Sequence, residues 1–598
     1  MANKNNKVSF RTSPVTVSVL EHALFEVTQE MTQALFRTSR SPILVEAKDF
    51  GCAITNAKGE VVAISVGLPI HSVGLDLSVQ ACLRYFGDEI YPGDIFFLND
   101  ALAPHYASGH YADFVTLMPV FYKDEMMFWT VERGHQADTG NALPGAGNVK
   151  ARTMYEEGLK VPPVKLFERG KRREDMWGII FRQLRMQATI AGDLHAAIGS
   201  VKTGAKRLIE LIEKHGLQTM RDGTVDMLEY TETLMRAEIE KLPDGSYSAE
   251  RWTDGDVAGG PYRLFVTVTI KGDSIIVDWT GSSPQSAGAC NSALGNTTAA
   301  SMTAILPTIA RRLPINGGCF RPIKVIAPGG SIVNPLAPAA VNLGTTHPFN
   351  EILNCMWGAL AQASPEKAIG DWSRCSGTIV TGTDPRTKEM FSGIEFHSGG
   401  GGGATWGTDG WSFMNYGNAL GGGAAEEHEI YETTYPHMLL YHRLAKDSGG
   451  PGKWRGGLGV EVAWVSEAPG ENILLPYADG FRTGVEGACG GMGPVEEAEF
   501  GYSHLIKFDG SKVITTQKDL FYYEQGDTFY FRTNGGGGVG PPLERDIEAV
   551  KLDVMNEMIS IGHARKYYGV VFKDESWPYT VDYEATKKLR EKIKGDNL

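Results

Sequence analysis

Two runs of β-forming residues, Ile95-Phe96-Phe97-Leu98 and the stretch DEMMFWTVER from Asp124 to Arg133, each lead into a dense set of imidazoles and carboxylates between Tyr91 and Glu157. The first run is followed by His105, His110 and Asp113, the second by His135 and Asp138. His110 and Asp113 stand at i and i+3, which share a face on a helical turn but point to opposite faces of a strand. The segment therefore has to turn, and the preceding Pro104, Ala107, Ser108 and Gly109 supply a loop for it. Two neighbouring strands then deliver His110, Asp113 and His135 to one end of a sheet. Neutral imidazole with ionised carboxylate suits a divalent cation with open coordination positions. The competing reading makes these histidines hydrogen-bonded loop residues, and an H-x-x-D pair alone is a weak motif.

Along the chain, residues 14–40 carry apolar positions at helical spacing and predict one long amphipathic helix. The stretch SPILVEAKDFGCAITNAKGEVVAISVG reads as two strands joined by a turn at Asn56-Ala57-Lys58-Gly59, the first strand carrying Glu46 and Asp49. A buried carboxylate is costly unless paired, hydrogen-bonded or metal-bound, so these two are the candidate acid–base residues. A short helix over Leu75–Tyr85 follows. After Glu157 come a strand and helices whose Lys and Arg residues read as a solvated face, then strands from Asp244-Gly245 onward.

The expected architecture is a mixed α/β, α+β chain of several domains. Residues 1–243 combine the N-terminal helix with mixed sheets carrying the metal site, residues 244–375 mix strands and helices, and residues 376–598 are Gly-rich and strand-dominated, ending in a helical pair followed by a strand. The runs HSGGGGGATWGTDGW, YGNALGGGAAEEHE, DSGGPGKWRGGLG and TNGGGGVGPPLERD interleave Gly with Trp406, Trp411, Tyr416 and Trp454, which argues for packed turns rather than flexible linkers.

A chain of 598 residues exceeds what one core usually organises. Its formal charge of -14 argues against a nucleic-acid footprint. No apolar run reaches the length of a signal peptide or a membrane span, so a cytoplasmic protein is expected. The seven scattered cysteines form no CxxC and suit a reducing compartment. No phosphate-loop or dinucleotide fingerprint occurs, and GGPGKWRGG lacks the spacing and hydroxyl such a loop needs.

The run GDIFFLND, followed in order by H-Y-A-D, RGHQADTG, MYEEGLKVPPVKL, PINGGCFRPI, DSGGPGKWRGGLG and GGGGVGPPLERD, resembles the hydantoinase B/oxoprolinase family over nearly the whole chain. The resemblance implies a divalent metal (Zn, Mn or Fe) held by His110, Asp113 and His135, with Asp49 as the acidic residue of the early DF-x-C-A-I segment. It also implies ATP bound on a partner, a hydantoinase A-type ATPase-like subunit, with a paralogous or small accessory subunit as further partners. Two departures stand out: the loop LAPHYASGH is longer than the family's usual G-G-T-H, leaving His105 as a rival ligand, and Gln136 follows His135 where many members carry a second histidine. RGHQAD is nearer to ketone-carboxylating members. The expectation is thus ATP- and bicarbonate-dependent carboxylation of a ketone of acetone or acetophenone type. The alternatives are ATP-dependent hydrolysis of a cyclic amide (a hydantoin, oxoproline or lactam) and a noncatalytic scaffold subunit.

Overall fold

The computed structural model describes residues 9–65, 67–106, 108–414, 419, 423, 425–494 and 501–596. Ala107 of the loop before His110, Tyr416 and most of the run YGNALGGGA lie outside the described residues.

Helix α1 (Pro14–Thr38) starts where Ser13 accepts the Thr16 N–H, with proline in the first turn. It buries Val17, Leu20, Leu24, Val27, Met31 and Leu35 along one side. The predicted first strand is then corrected. Residues Pro42–Val45 form a helical turn, α2, and strand β1 covers only Phe50–Asn56. Pro42 has no N–H for a ladder but suits the first turn of a helix, so Glu46 and Asp49 lie between α2 and β1 rather than in a strand. The turn after β1 is as expected: Gly59 takes φ +85° and Asn56 Oδ1 accepts the N–H groups of Lys58 and Glu60. Strand β2 (Val61–Ile64) returns antiparallel to β1.

A short helix α3 (Pro69–Ser72), unforeseen in the sequence, precedes α4 (Leu75–Phe86). Strands β3 (Ile95–Leu98), β4 (Asp113–Tyr122), β5 (Glu125–His135), β6 (Val164–Glu168) and β7 (Lys171–Arg172) complete a seven-stranded sheet in the order β2-β1-β5-β4-β3-β6-β7. Helices α5 (Glu174–Phe181), α6 (Gln187–His215) and α7 (Leu217–Ile239) follow. Helix α6 lies against α1 so closely that a Cβ at Gly204 would come within 2.5 Å of Met31 Sδ. The basic run on α6 is solvated, with Lys202, Lys206 and Arg207 exposed.

Strands β8 (Gly245–Thr253), β9 (Tyr262–Lys271) and β10 (Ser274–Asp278) form a meander, and helix α8 (Leu294–Ile309) and the short α9 (Gly317–Phe320) lead to β11 (Ile323–Ile326), parallel to β10. The apolar face of this sheet is covered by α10 (His347–Ala363), whose Phe349, Ile352, Leu353 and Met356 join its core. The same apolar cluster takes in Ile43, Leu68 and Ile70 from the N-terminal part and Ile379, Ile394 and Tyr477 from the C-terminal part.

Strands β12 (Thr378–Thr383) and β13 (Met390–Ile394), helix α11 (His428–Thr434), and strands β14 (His437–Leu444), β15 (Val460–Ser466), β16 (Asn472–Pro476), β17 (Tyr502–Ile506), β18 (Lys512–Ile514), β19 (Phe521–Tyr523) and β20 (Thr528–Arg532) make two further sheets, β13-β12-β16-β19 and β14-β15-β20-β17-β18. Both contribute to one core, with Val380, Leu474 and Tyr523 from the first and Val462, Trp464 and Phe529 from the second. The three Gly-rich runs that are described are packed, but side by side rather than as turns: Gly457 N–H donates to Gly402 O, Gly536 to Gly457 O and Ala404 to Gly537 O, each at 2.9 Å. A Cβ at Gly536 would come within 2.2 Å of Gly402 O, so these backbones approach as only glycine allows. After α12 (Ile547–Met555) and α13 (Ile561–Tyr568) the strand expected at YYGVVF is reduced to the single bridge Phe572–Val581, and a third helix that the sequence reading did not include, α14 (Tyr583–Asp596), follows. Among the described residues no helix is long and apolar enough to cross a membrane.

Candidate metal centre

The β4–β5 hairpin pairs Asp113 directly with His135, so the first residue of one strand and the last of the other meet at the rim of the seven-stranded sheet. His110 sits in the turn just before β4, where the Asp113 N–H donates to the His110 carbonyl at 3.3 Å. The three side chains, all buried, aim at one point. His110 Nε2 lies 2.8 Å from Asp113 Oδ1 and 3.0 Å from His135 Nδ1, and His135 Nδ1 lies 3.2 Å from the same carboxylate oxygen. Ligand atoms at about 2.1 Å from one ion and at right angles to each other stand roughly 3.0 Å apart. The donor set thus fits one face of a divalent cation's coordination shell. His110 Nδ1 donates to the Asn342 carbonyl at 2.9 Å, which leaves Nε2 as the lone-pair nitrogen facing the centre. Asp113 Oδ2 and His135 Nε2 are buried without a hydrogen-bond partner. Burial works against ionisation of Asp113, but His110 and His71 outweigh it and hold the carboxyl well below the usual range.

Asp49 stands beside this trio. Its backbone carbonyl accepts the His135 N–H at 3.1 Å, and its Oδ1 lies 2.6 Å from His71 Nε2. Burial opposes its charge, yet the adjacent His71 imidazole prevails and lowers its pKa. His71 Nδ1 in turn lies 4.0 Å from Asp113 Oδ2. Sequence reading missed His71, an isolated histidine on a short helix. Arg133 fixes it: one guanidinium nitrogen donates to the carbonyls of Ile70, His71 and Val73 at 2.6, 2.9 and 3.2 Å.

A second missed residue is Glu157, the end of MYEEGL. Its buried carboxylate accepts the Val341 N–H at 2.9 and 3.0 Å and the Asn342 N–H at 2.6 Å. One of the residues it grips, Asn342, is the one whose carbonyl orients His110. Burial, only partly offset by those two amides, pushes its pKa up to about 7.

The other sequence candidates lie elsewhere. His105 faces Asp100 at 3.9 Å, away from the trio, so the longer loop does not bring it in as a ligand. Asp138 accepts from the Arg185 backbone and guanidinium, both at 2.8 Å, and shapes a loop. Glu46 caps α2 and does not line the cavity beside the trio; its charge instead raises the pKa of Glu426. Gln136 turns its amide to the Gly134 carbonyl at 3.1 Å and does not line the cavity either.

That cavity opens over Asp49, His71, His110, Asp113 and His135. Its walls come from Leu68 and Ile70 of the α2–α3 region, Val149, Leu343 with Thr345, and Ile379, Ile394, Phe396 and Tyr477 of the C-terminal sheets.

The chain is 32% identical to the caprolactamase subunit beta of Pseudomonas jessenii over 564 residues, covering 93% of this chain and 96% of the relative. It is 27% identical to the acetophenone carboxylase delta subunit of Aromatoleum aromaticum, covering 91% and 84%. The solved ATP-dependent caprolactamase from Pseudomonas jessenii superposes with a TM-score of 0.89 at 31% identity, covering 97% of this chain and all of that one. A nucleotide-free acetone carboxylase gives the same TM-score at 20% identity, a likeness of fold. The model of the hydantoinase B/oxoprolinase family matches residues 13–542, and the chain belongs to that family.

Proposed function

We propose that this chain is the metal-bearing, substrate-activating subunit of an ATP-dependent enzyme that opens a cyclic amide by hydrolysis. The reading rests on one observation above all: three donor atoms within 3.2 Å of one another and the Asp49–His71 pair face the same cavity. His110, Asp113 and His135 would hold a divalent cation, Zn2+, Mn2+ or Fe2+ by donor type. Such a cation supplies Lewis acidity toward a carbonyl or phosphoryl oxygen. The carbonyl oxygen takes the γ-phosphoryl of the partner's ATP as ADP leaves. Asp49, kept ionised and oriented by His71, accepts a proton from the water that attacks the carbonyl carbon; the C–N bond breaks, the leaving nitrogen takes up a proton, and a second water releases the acyl phosphate as carboxylate and inorganic phosphate. Branched apolar walls exclude bulk water from the reacting carbonyl. ATP is bound by a partner subunit of the hydantoinase A type, in keeping with relatives that are named as subunits.

Hydrolysis is preferred over ketone carboxylation for two reasons. Identity and coverage are higher with the caprolactamase subunit than with the acetophenone carboxylase subunit. Gln136, the residue behind the ketone expectation, also lies outside the cavity wall. The test is the copurified complex with ATP and either a lactam or hydantoin, or a methyl ketone with labelled bicarbonate. Ring opening coupled to ADP release is expected. Label fixed stably into a carboxylic acid would replace this reading by carboxylation. A protein without bound metal, in a complex whose activity is indifferent to His110→Ala with His135→Ala, would leave only a scaffold role.

A further inference from the structure

Among the described residues, the wall of the cavity carries no lysine and no arginine, and the undescribed residues beside Ala419 and Gly423, numbers 415–418, 420–422 and 424, contain neither in their sequence. The cations that pass nearby are turned away and engaged. Arg133 grips the carbonyls of Ile70, His71 and Val73, and Lys518 pairs with Asp479 at 2.7 Å while donating to Gly255 O at 2.6 Å. Arg374, next to the lining Cys375, pairs with Glu351. Two carboxylates, Asp49 and Asp113, face the same space, and the remaining surface is dominated by Leu68, Ile70, Val149, Leu343, Ile379 and Phe396.

We infer that this cavity selects an uncharged carbonyl compound with an apolar body, and rejects substrates that carry a free carboxylate. The inference rests on the proposed reading of the site as the place where the substrate carbonyl is held. A carboxylate bound here has two bad choices. Beside the aliphatic wall it is desolvated without a partner, and near the centre it meets two aspartates and competes with the carbonyl for the same cation. A ring amide without a charged substituent meets neither problem: its apolar methylenes lie along the wall and its carbonyl faces the centre. Within the family's range of cyclic amides, this places lactams and simple hydantoins inside the accepted class and 5-oxoproline outside it.

The experiment uses matched pairs of nearly equal size that differ in charge, with the metal-loaded complex and its ATPase partner: 5-oxoprolinamide against 5-oxoproline, and 4-acetylbenzamide against 4-acetylbenzoate. Turnover and equilibrium binding are measured for all four. The expected result is a preference of at least ~100-fold for the neutral member in kcat/KM or, where no turnover occurs, in Kd. Ring opening of 5-oxoproline as efficient as that of its amide would overturn the inference and leave the hydrolase reading standing. A neutral ketone that binds and reacts while its acid does not, with no ring opened, would overturn the hydrolase reading and leave the inference standing. Equal binding of acid and neutral members, or binding of none of the four, overturns the inference.

Discussion

The molecule holds two knots of imidazole and carboxylate that look alike in content and differ in geometry. One is the trio His110, Asp113 and His135; the other gathers His397, His428 and His442 with Glu395 and Glu426 beside strands β13 and β14. In the second knot the rings pack on each other, with centroids 5.2 to 5.4 Å apart. Their nitrogens diverge. His397 Nε2 donates to the Glu426 carbonyl at 2.9 Å, its Nδ1 faces Glu395 at 3.1 Å, and only His428 Nε2 and His442 Nδ1 approach, at 3.0 Å. Among the described residues only the first knot brings three ligand atoms to one point. The difference is one of scaffolding. Strand pairing sets Asp113 opposite His135, and the Asn342 carbonyl turns His110, whereas the second knot is organised by ring packing against Tyr431 and Phe413.

The sharpest way to break this contrast is to exchange the histidines for alanine. His110→Ala with His135→Ala is expected to reduce bound divalent metal to background and activity by at least ~1,000-fold. His397→Ala and His442→Ala should leave metal content stoichiometric by elemental analysis. Equal loss from both knots would erase the distinction.

Next in size is Asp49→Asn, which removes the proposed proton acceptor and is expected to lower kcat by roughly 100- to 10,000-fold with KM little changed. His71→Ala should produce a smaller fall of the same kind, since it orients Asp49 rather than replacing it.

The grip of Glu157 on Asn342, whose carbonyl turns His110, gives a third test. Glu157→Gln is expected to weaken metal affinity by roughly 10- to 100-fold in chelator competition. An unchanged affinity would mean that the Asn342 carbonyl holds its place unaided.

The smallest effect concerns pH and sharpens the description of the second knot. Burial, with Glu395 and Glu46 adding to it and His397 opposing, pushes the Glu426 carboxyl up to about 8. Because the folded state binds this proton more tightly than the unfolded chain, stability from this group is present below about pH 4.3 and is lost as pH rises towards 8. Relative to wild type, Glu426→Gln should therefore gain stability on going from pH 5 to pH 8, on the order of 1–3 kcal/mol. Denaturant melts of both proteins across that range read the difference, and parallel curves would show that Glu426 does not titrate there.

Much of the site was legible because its residues cluster along the chain. His110 and Asp113 are separated by a turn, and His135 ends the next strand, so hairpin pairing brings Asp113 and His135 together and the turn carries His110 beside them. Helix α1 was legible from its apolar spacing. Less visible was what depends on distant contacts. Asp49 is joined by His71, whose short helix has no periodic signal and is held by a guanidinium 62 residues away. Glu157 works through residues 184 and 185 positions further on. The strand expected around Glu46 gave way to a helical turn because Pro42 removes a ladder donor. The three described Gly-rich runs are packed as expected, yet their side-by-side stacking is a matter of backbones more than a hundred residues apart, such as Gly402 and Gly536.

By itself the sequence determined the kinds of donor available, their order along one hairpin, and the family to which the chain belongs, because local patterning sets which residues share a strand end. The tertiary structure alone decided which imidazoles converge and which merely stack, which carboxylates face the cavity, and that its wall among the described residues carries no lysine or arginine. Those outcomes depend on how two sheets and the loop around Asn342 meet, and side-chain direction at such a junction is set by packing between segments remote in sequence.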